Sequence, residues 1–242
     1  MCYKYATPKL EELIEYLGEQ PEYTIEDYFH YYFADGFNHQ FMPVTTSANN
    51  RLIEKAIWGL VPEYIEDSKQ AKERADQNLN ARSETIFSRP SYAPYISTQR
   101  CLAWASGFFE HHWDDAKGRS KTPYFIYSKD KQPFTFGGLY TNWVRPDTGE
   151  VFKTFSIITT EANHLLSEIH NNKQRMPLII PESDRDTWLS NLSKEAITDL
   201  MKPLPDGLLS AHTISKLVTS RTEERNVPEV QDIYIPPKDT LF

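Results

Sequence analysis

Cys2 offers a chemistry that no internal residue has. Removal of Met1, which is normal before a small residue, leaves a free α-amine and a thiol on adjacent carbons. The amine can condense with an aldehyde to an imine, and the thiol can then close a five-membered thiazolidine ring on the same carbon. These groups ionise at about 8 and about 8.5, so modest changes in environment activate either one. A cysteine without function at a frayed terminus is the alternative, and other residues must decide between the two.

Two further residues have side chains that suit proton transfer. Glu110 follows the apolar run 107–109, and burial at a strand end would favour the protonated form of its carboxyl. Such a group can donate and accept protons, or it can emerge from the sheet into solvent. His170 ends a helical pattern, where histidine serves either as a proton shuttle or as a structural residue.

A polar cluster, Asn-Ala-Arg-Ser-Glu-Thr, occupies residues 80–85 before a predicted turn. Arg82 has a guanidinium that can fork onto a phosphate or a carboxylate, with Glu84 as its internal partner. A surface loop with an ion pair of little consequence is the alternative. Pro43 and Trp58 are either turn and core residues or apolar wedges against a nucleobase. Cys101 lies in a strand-like run and is predicted to be a buried core thiol.

Composition and charge limit the classes of function. The chain has 242 residues, a net charge of −8 and a pI of about 5.4, which argues against non-specific duplex binding. A local basic groove remains compatible with this charge. The two cysteines, and histidines without metal-ligand spacing, predict no metal and no cofactor. No apolar run spans a bilayer and no signal peptide is evident, so we expect a cytoplasmic protein.

The hydrophobic periodicity predicts a single α+β domain with a mixed, barrel-like sheet core flanked by helices. Helices are predicted at 8–20, 68–79, 162–170 and 184–192. Strands are predicted within 28–42 and at 51–62, 101–113, 123–128, 134–144, 152–160, 178–181 and around 211–218. The domain is expected to cover 1–242, with a core of about 2–218 and a loose, proline-containing tail at 219–242.

Taken together, these residues resemble the SOS-response-associated peptidase-like (SRAP) family, whose members shield abasic sites in DNA. The resemblance runs from Cys2 to about Val218. It is carried, in the family's order, by Met-Cys at 1–2, Trp-Gly-Leu-Val-Pro at 58–62, Asn-Ala-Arg-Ser-Glu-Thr at 80–85, Arg-Cys at 100–101, Gly-Phe-Phe-Glu at 107–110, Lys-Thr-Pro-Tyr at 121–124, Gly-Leu at 138–139, Thr-Thr-Glu-Ala-Asn at 159–163, Ile-His at 169–170, Arg-Met-Pro at 175–177 and Asp-Thr-Trp-Leu at 186–189. Each segment is short, and the set in this order is specific.

The resemblance implies a role in the DNA damage response. The Cys2 amine would attack the aldehyde of an opened abasic sugar, and the thiol would close a thiazolidine. Glu110 and His170 would move protons, and Asn80 would orient the terminus and the sugar. Contacts with DNA are implied for five residues: Lys4, Pro43, Trp58, Arg82 and Arg175. The two arginines would bind phosphates, and Pro43 and Trp58 would lie against flanking bases. The implied partner is single-stranded DNA, or its junction with a duplex, bound by a monomer that is nucleoid-associated when on DNA.

Three departures distinguish this chain from the family pattern. Tyr3 and Lys4 stand where the family has Gly and Arg, which adds bulk and removes a bidentate fork. His111 replaces the tryptophan that usually follows the glutamate. Four residues separate His170 from Arg175, a longer spacing than in many members. We expect these changes to retune DNA affinity rather than remove the chemistry.

Two other functions remain open at the level of sequence. An N-terminal-nucleophile amidase or peptidase would use the Cys2 thiolate with its own amine as base. A DNA-binding relative without catalysis is the third possibility. The presence of Cys2, Glu110 and His170 favours covalent capture of abasic sites.

Overall fold

A computed structural model describes residues 2–18 and 23–235. Its strands are β1 Lys4–Ala6, β2 Thr24–Ile25, β3 Ala34–Asp35, β4 Phe41–Thr46, β5 Asn49–Trp58, β6 Asn80–Arg82, β7 Arg100–Ala105, β8 Gly107–Trp113, β9 Lys121–Ser128, β10 Phe134–Val144, β11 Val151–Glu161, β12 Arg175–Pro177, β13 Ile179–Ile180 and β14 Leu209–Thr213. Its α-helices are α1 Leu10–Leu17, α2 Ser68–Gln77, α3 His164–Ile169, α4 Arg185–Leu189 and α5 Lys194–Leu200.

Five strands form a closed mixed barrel. Strands β5, β4, β7, β10 and β11 pair in that order through antiparallel ladders. A parallel pairing of β11 with β5, Thr154 with Ile57 and Phe155 with Trp58, closes the ring. Closure leaves these central strands without free edges. The predicted α+β class with a barrel-like core is therefore confirmed.

A second, antiparallel sheet packs beside the barrel in the order β3-β1-β8-β9-β14. The chain crosses into it at Ser106, whose backbone N–H donates to the carbonyl of Ala6 at 2.9 Å. The prediction of one continuous strand over 101–113 is thus wrong, because β7 and β8 belong to different sheets. Gly107 permits the crossing, since a Cβ there would lie 2.2 Å from the ring of Phe125.

Aromatic packing holds β1 in place between the barrel and the second sheet. Tyr5 is fully buried and meets Trp58 and Phe136 edge to face, with ring centroids 4.9 Å and 5.4 Å away. Phe108, on the neighbouring β8, contacts the same Phe136 ring at 5.8 Å. Such contacts stabilise by about 0.5–1.5 kcal/mol each beyond simple burial. The short segment before β1, which contains Cys2, is therefore held in place by the packing of this strand.

The helices agree with the periodicity in position but are shorter than predicted. Helix α1 ends at Leu17, where Gly18 adopts a φ of 63°, and residues 19 and 20 of the predicted helix lie outside the described part of the chain. Helix α5 was not predicted. It is capped by the Ser193 side chain, which accepts from the N–H of Ala196, a start signal that the sequence contains.

The tail is more ordered than the sequence suggested. Residues 228–231 form a 3₁₀ turn in which Val230 is fully buried. Gln231 donates to the carbonyl of Tyr32 at 2.8 Å, and Arg225 pairs with Asp35 at 3.4 Å. The loose tail predicted from residue 219 is therefore wrong as far as residue 235. Pro236 and Pro237 lie outside the described residues.

Candidate functional site

Cys2 lies at the entry to β1 with its side chain fully buried. The Asn80 side chain, on β6, donates from Nδ2 to the Cys2 carbonyl at 2.8 Å. Asn80 is itself fixed because β6 runs parallel to β11, with Asn80 opposite Ile157. Its Oδ1 is buried without a hydrogen-bond partner in the described part of the chain. The amide thus holds the Cys2 backbone in place, and its Oδ1 is an acceptor that a ligand could use.

Glu110 lies on β8 beside the entry to β1. Tyr5 is opposite Phe108 in the ladder, so Glu110, two residues further along β8, adjoins the segment that contains Cys2. Glu110 shares a sheet face with Phe108, and its side chain is 7% exposed. The sequence prediction of a desolvated carboxylate at the end of an apolar run agrees with this position.

His170 caps the C-terminal end of α3 and faces Glu110. Its Nδ1 donates to the carbonyl of Arg175 at 2.8 Å, which leaves Nε2 as the acceptor in the neutral ring. Nε2 lies 3.9 Å from Glu110 Oε2, too long for a direct hydrogen bond but suitable for a donor placed between them. Two acceptors that face one another favour a bound ammonium or hydroxyl at this point.

The long spacing between His170 and Arg175 is accommodated by a loop that docks on β8. Asn171 accepts from the Trp113 N–H and donates to the Trp113 carbonyl, both at 3.0 Å. The Gln174 N–H donates to the carbonyl of His170 at 2.8 Å. This anchoring places His170 beside Glu110 despite the unusual spacing.

Burial controls protonation at the site. Burial, followed by the charge of Glu110, raises the pKa of the Cys2 thiol well above its ordinary value. The thiol is therefore an S–H group at neutral pH, with a weak contact to the carbonyl of Lys4 at 3.7 Å. Burial also lowers the pKa of His170, against the opposing effect of Glu110. His170 is consequently poised to accept a proton rather than to carry one.

A cleft of about 650 Å³ opens above Glu110 and His170. Of the described residues that line it, Glu110 alone is acidic and five are basic: Lys4, Arg119, Lys121, Lys173 and Lys216. We call this the basic cleft. The local cation excess contrasts with the net charge of −8 of the chain. The sequence prediction that an acidic protein can carry a basic groove agrees with this cleft.

The other predicted phosphate ligands border a neighbouring cleft of about 530 Å³, which shares Lys173 with the basic cleft. Arg82 is exposed there. The Arg175 guanidinium forks onto Glu84 at 2.5 Å and 3.1 Å. Burial opposes ionisation of Glu84, but the hydrogen bonds from Arg175 hold the pKa of its carboxyl below the ordinary value. The prediction that Glu84 pairs with Arg82 is therefore wrong, because its partner is Arg175.

Pro43 and Trp58 do not face the basic cleft. Pro43 is buried within β4, and Trp58 is fully buried with its indole N–H donating to the carbonyl of Leu79 at 3.0 Å. Neither presents a surface on which a base can stack. Two other rings line the cleft instead: Tyr3, noted above for its bulk, and Trp113, which the sequence did not single out.

His111 lies in the wall of the basic cleft. Burial, together with the positive charges of Lys4 and Lys121, lowers the pKa of His111 to about 4. Its Nε2 is buried without a hydrogen-bond partner among the residues described. The position where the family has tryptophan thus holds a neutral, half-buried imidazole.

This shift makes the stability of the protein depend on pH. Between pH 6.5, the ordinary pKa of histidine, and pH 4, the unfolded chain binds a proton that folded His111 does not. The free energy of unfolding should therefore be fully maintained above pH 6.5 and fall as the pH drops, by the order of 2 kcal/mol for this residue.

Urea unfolding at pH 7.5 and pH 5 measures this loss of stability. His111→Phe should flatten the slope, whereas His164→Gln, at an exposed site, should leave it. An equal slope in His111→Phe contradicts the assignment.

Among the described residues, no group of three or more histidine, cysteine or acidic side chains converges to hold a metal ion. No helix within that part of the chain is long and apolar enough to cross a membrane. The chemistry that the described side chains make available in the basic cleft is that of one carboxylate, two imidazoles and the surrounding cations.

Comparisons with known proteins show the family and the fold that this chain shares. Residues 1–221 match the sequence profile of the family described as SOS response associated peptidase (SRAP). The chain is 33% identical over 189 residues to the abasic site processing protein YoqW of Bacillus subtilis, covering 77% of this chain and 79% of YoqW. It is 30% identical over 194 residues to the abasic site processing protein HMCES of Gallus gallus, covering 72% of this chain and 55% of HMCES. A crystal structure of a Bacteroides thetaiotaomicron protein superposes with a TM-score of 0.86 at 30% identity, over 97% of this chain and 100% of that one.

Proposed function

Because the chain belongs to the SOS response associated peptidase (SRAP) family, we propose that it processes abasic sites in DNA by covalent capture through Cys2. The product is a thiazolidine that joins the protein to the sugar and shields the site. The named relatives support abasic-site processing. The capture chemistry is inferred from the arrangement of this chain's own residues.

The observation that carries the proposal is the set of acceptors around an N-terminal cysteine. Asn80 binds the Cys2 carbonyl at 2.8 Å, and Glu110 and His170 face each other 3.9 Å apart. An amine, a protonated imine or a sugar hydroxyl is the donor that such a group of acceptors stabilises. Glu110 and His170 line a cleft rich in cations, where a DNA backbone would run.

The reaction proceeds in two bond-forming steps. The Cys2 amine adds to the C1′ aldehyde of the opened deoxyribose, and loss of one water gives an imine. The Cys2 thiol then adds to the imine carbon, its proton moves to the nitrogen, and a thiazolidine results. The amine reacts first, because the thiol closes the ring by adding to the carbon of the imine that the amine has formed. Overall one water is lost, and no oxidant or cofactor is consumed.

Glu110 and His170 divide the proton transfers. Glu110 lies beside the terminal segment and carries protons between the amine, the departing water and the thiol. Neutral His170, with its Nδ1 committed to the carbonyl of Arg175, accepts a proton from the sugar hydroxyl at Nε2 when the ring opens. The same groups can return these protons when the adduct reverses.

The partner we propose is single-stranded DNA, or its junction with a duplex, bound by a monomer. An abasic sugar must leave the stack to reach a buried cysteine, and this costs least in a single strand. The cleft supplies cations for the backbone, while Tyr3 and Trp113 supply rings on which flanking bases can stack. The setting would be the cytoplasm, at the nucleoid when DNA is bound.

Intact mass spectrometry tests the proposal directly. The protein is mixed with a short single-stranded oligonucleotide that contains one abasic site. We expect a species at the mass of the protein without Met1, plus the oligonucleotide, minus one water. An intact-base oligonucleotide of the same sequence is the control. If verified Met1-free protein gives no adduct, the proposal fails.

The amidase alternative uses the same Cys2 thiol, so the two functions differ in their dependence on DNA. N-terminal-nucleophile hydrolysis needs only the thiol, its own amine as base and an amide substrate. Turnover of amide substrates by the same preparation without DNA would favour this alternative over abasic-site capture.

The basic cleft makes a separate prediction about affinity. The double substitution Lys121→Glu and Lys173→Glu should weaken binding of single-stranded DNA about tenfold or more at low salt, because two attractive charges become repulsive toward phosphate. The slope of log K against log salt should become shallower by about 0.7 for each phosphate that the protein no longer neutralises. Fluorescence anisotropy at several salt concentrations measures both quantities. Lys69→Glu on α2, outside the cleft, is the matched control, and an equal weakening in the control would contradict a specific role for the cleft.

A further inference from the structure

Arg185 is a buried cation outside the basic cleft. It is the first residue of α4 and is 8% exposed. Its guanidinium carbon lies 5.2 Å from the ring centre of Tyr16 and 5.0 Å from that of Trp104. These rings hold the charge by cation–π contacts. Among the described residues, Arg185 has no carboxylate within ion-pairing distance of its guanidinium.

The nearby acidic groups are committed to other donors. Asp186 forms a bidentate pair with Arg51 at 2.7 Å and 3.0 Å. Glu182 accepts from the Tyr16 hydroxyl at 3.0 Å. The Tyr16 hydroxyl also hydrogen-bonds with Arg185, but a neutral hydroxyl does not balance the charge of the guanidinium. The Nε of Arg185 is buried without a hydrogen-bond partner within residues 2–18 and 23–235.

A buried cation in this state is costly unless an anion accompanies it. Arg185 forms part of the wall of a cleft of about 550 Å³, on a different set of residues from the basic cleft. The same wall contains the buried side chains of Phe134, Ile180, Leu204 and Leu209 and the half-exposed Leu208. Lys129 also lines the cleft, together with two carboxylates, Asp130 and Glu182. Asp130 accepts from Ser128 and Gln132, and Glu182 accepts from Tyr16. This volume and this mixture of apolar walls with a few charged groups are typical of ligand sites.

We propose that this cleft binds a carboxylate carried on an apolar body. The carboxylate would pair with the Arg185 guanidinium where it lines the cleft, and the apolar part would pack against Phe134, Ile180 and Leu209. Two sources provide that chemistry: a free apolar acid, and the C-terminal residue of a peptide from another protein. The site is independent of abasic-site capture, because it shares no lining residue with the basic cleft.

Ligand pairs that differ in charge alone test the proposal on the intact protein. Binding of 3-phenylpropionate is compared with that of 3-phenylpropanamide by saturation-transfer NMR and by the shift in melting temperature. We expect saturable binding of the acid and at least about tenfold weaker binding of the amide, because the amide cannot form a charge-assisted pair. Acetate, which lacks the apolar body, should also bind more weakly. Equal binding of acid and amide, or no saturable binding of the acid, overturns the proposal.

Protein variants locate the site. Arg185→Gln should abolish the preference for the acid, whereas Arg89→Gln, at an exposed arginine elsewhere, should retain it. If Arg185→Gln does not fold, Leu208→Asp places a negative charge at the 49% exposed rim and should weaken binding of the acid. The Lys121→Glu variant of the basic cleft should bind the acid normally. Loss of binding in that variant would assign the anion to the basic cleft and overturn the proposal.

A peptide arm distinguishes the two sources. Gly-Ser-Gly-Phe with a free C-terminal carboxylate is compared with its amidated form and with 3-phenylpropionate. Tighter binding of the free-acid peptide assigns the site to a protein terminus, and tighter binding of 3-phenylpropionate assigns it to a small acid. Either result supports the site. Binding of the amidated peptide as tight as that of the acid contradicts it.

Discussion

Replacing Cys2 by alanine is expected to remove the stable covalent adduct with abasic DNA. Alanine retains the terminal amine, so an imine can still form and revert by hydrolysis. It lacks the thiol, the nucleophile that closes the ring. The yield of adduct that survives denaturation should therefore fall by at least about a hundredfold. Denaturing electrophoresis of protein and abasic oligonucleotide measures the yield.

Borohydride separates the two steps in that variant. Reduction should trap the imine of Cys2→Ala, because the amine still reaches the aldehyde, and the trapped species should disappear when the terminus is acetylated. Cys101→Ala is the matched control, since Cys101 is equally buried in the core. It should form the adduct at the wild-type yield. A stable, unreduced adduct with Cys2→Ala would show that the thiol is not part of the linkage.

The sequence singled out the residues of the candidate site because their signals are local. Cys2 is marked by its position in the chain, Glu110 by the apolar run that precedes it and His170 by the end of a helical pattern. The structure brings these residues together with Asn80, although their roles remain predictions. The central strands were predicted for the same reason: 134–144 alternates and is bounded by turn residues, and β10 covers that range.

Features that depend on tertiary structure were not accessible from the sequence. The basic cleft gathers Lys121 from β9, Lys173 from the loop after α3 and Lys216 from a turn after β14, and no window of sequence contains them together. At Ser106 the chain leaves one sheet and enters another. Hydrophobic periodicity indicates only that the segment is extended, and does not show which sheet each part joins. Trp58 shows the same limit, since a tryptophan in an apolar strand has the same sequence signal whether it is core or binding surface.

The pairing of Glu84 illustrates why charge partners are hard to predict. Glu84 and Arg82 are two residues apart and appear paired by proximity in sequence. The partner is instead Arg175, on β12, because β12 and β6 both pair with β11 and lie on either side of it. For this ion pair, proximity across the sheet decides the partner, and proximity along the chain does not. A phosphate bound by Arg175, as the sequence predicts, would therefore compete with Glu84 for the same guanidinium.

Replacing Glu110 by glutamine is expected to slow adduct formation about a hundredfold, the lower end of the range for general acid–base catalysis. Glutamine has nearly the same shape, so the fold and the approach to His170 should persist, but the amide cannot relay a proton. Affinity for DNA should be unchanged or slightly higher, because a negative charge is removed from a cation-lined cleft. Single-turnover kinetics with excess protein give the rate, and anisotropy gives the affinity.

The reverse reaction provides the decisive control for Glu110. A group that moves protons in both directions changes the rates of formation and reversal by the same factor and leaves the equilibrium yield unaltered. Glu110→Gln should therefore approach the wild-type yield at long times and lose its adduct correspondingly slowly. Glu161→Gln, at an exposed carboxylate, should behave as wild type in both directions. An unchanged rate would remove Glu110 from the mechanism, whereas a lower final yield with normal reversal would assign it to binding the adduct instead of transferring protons.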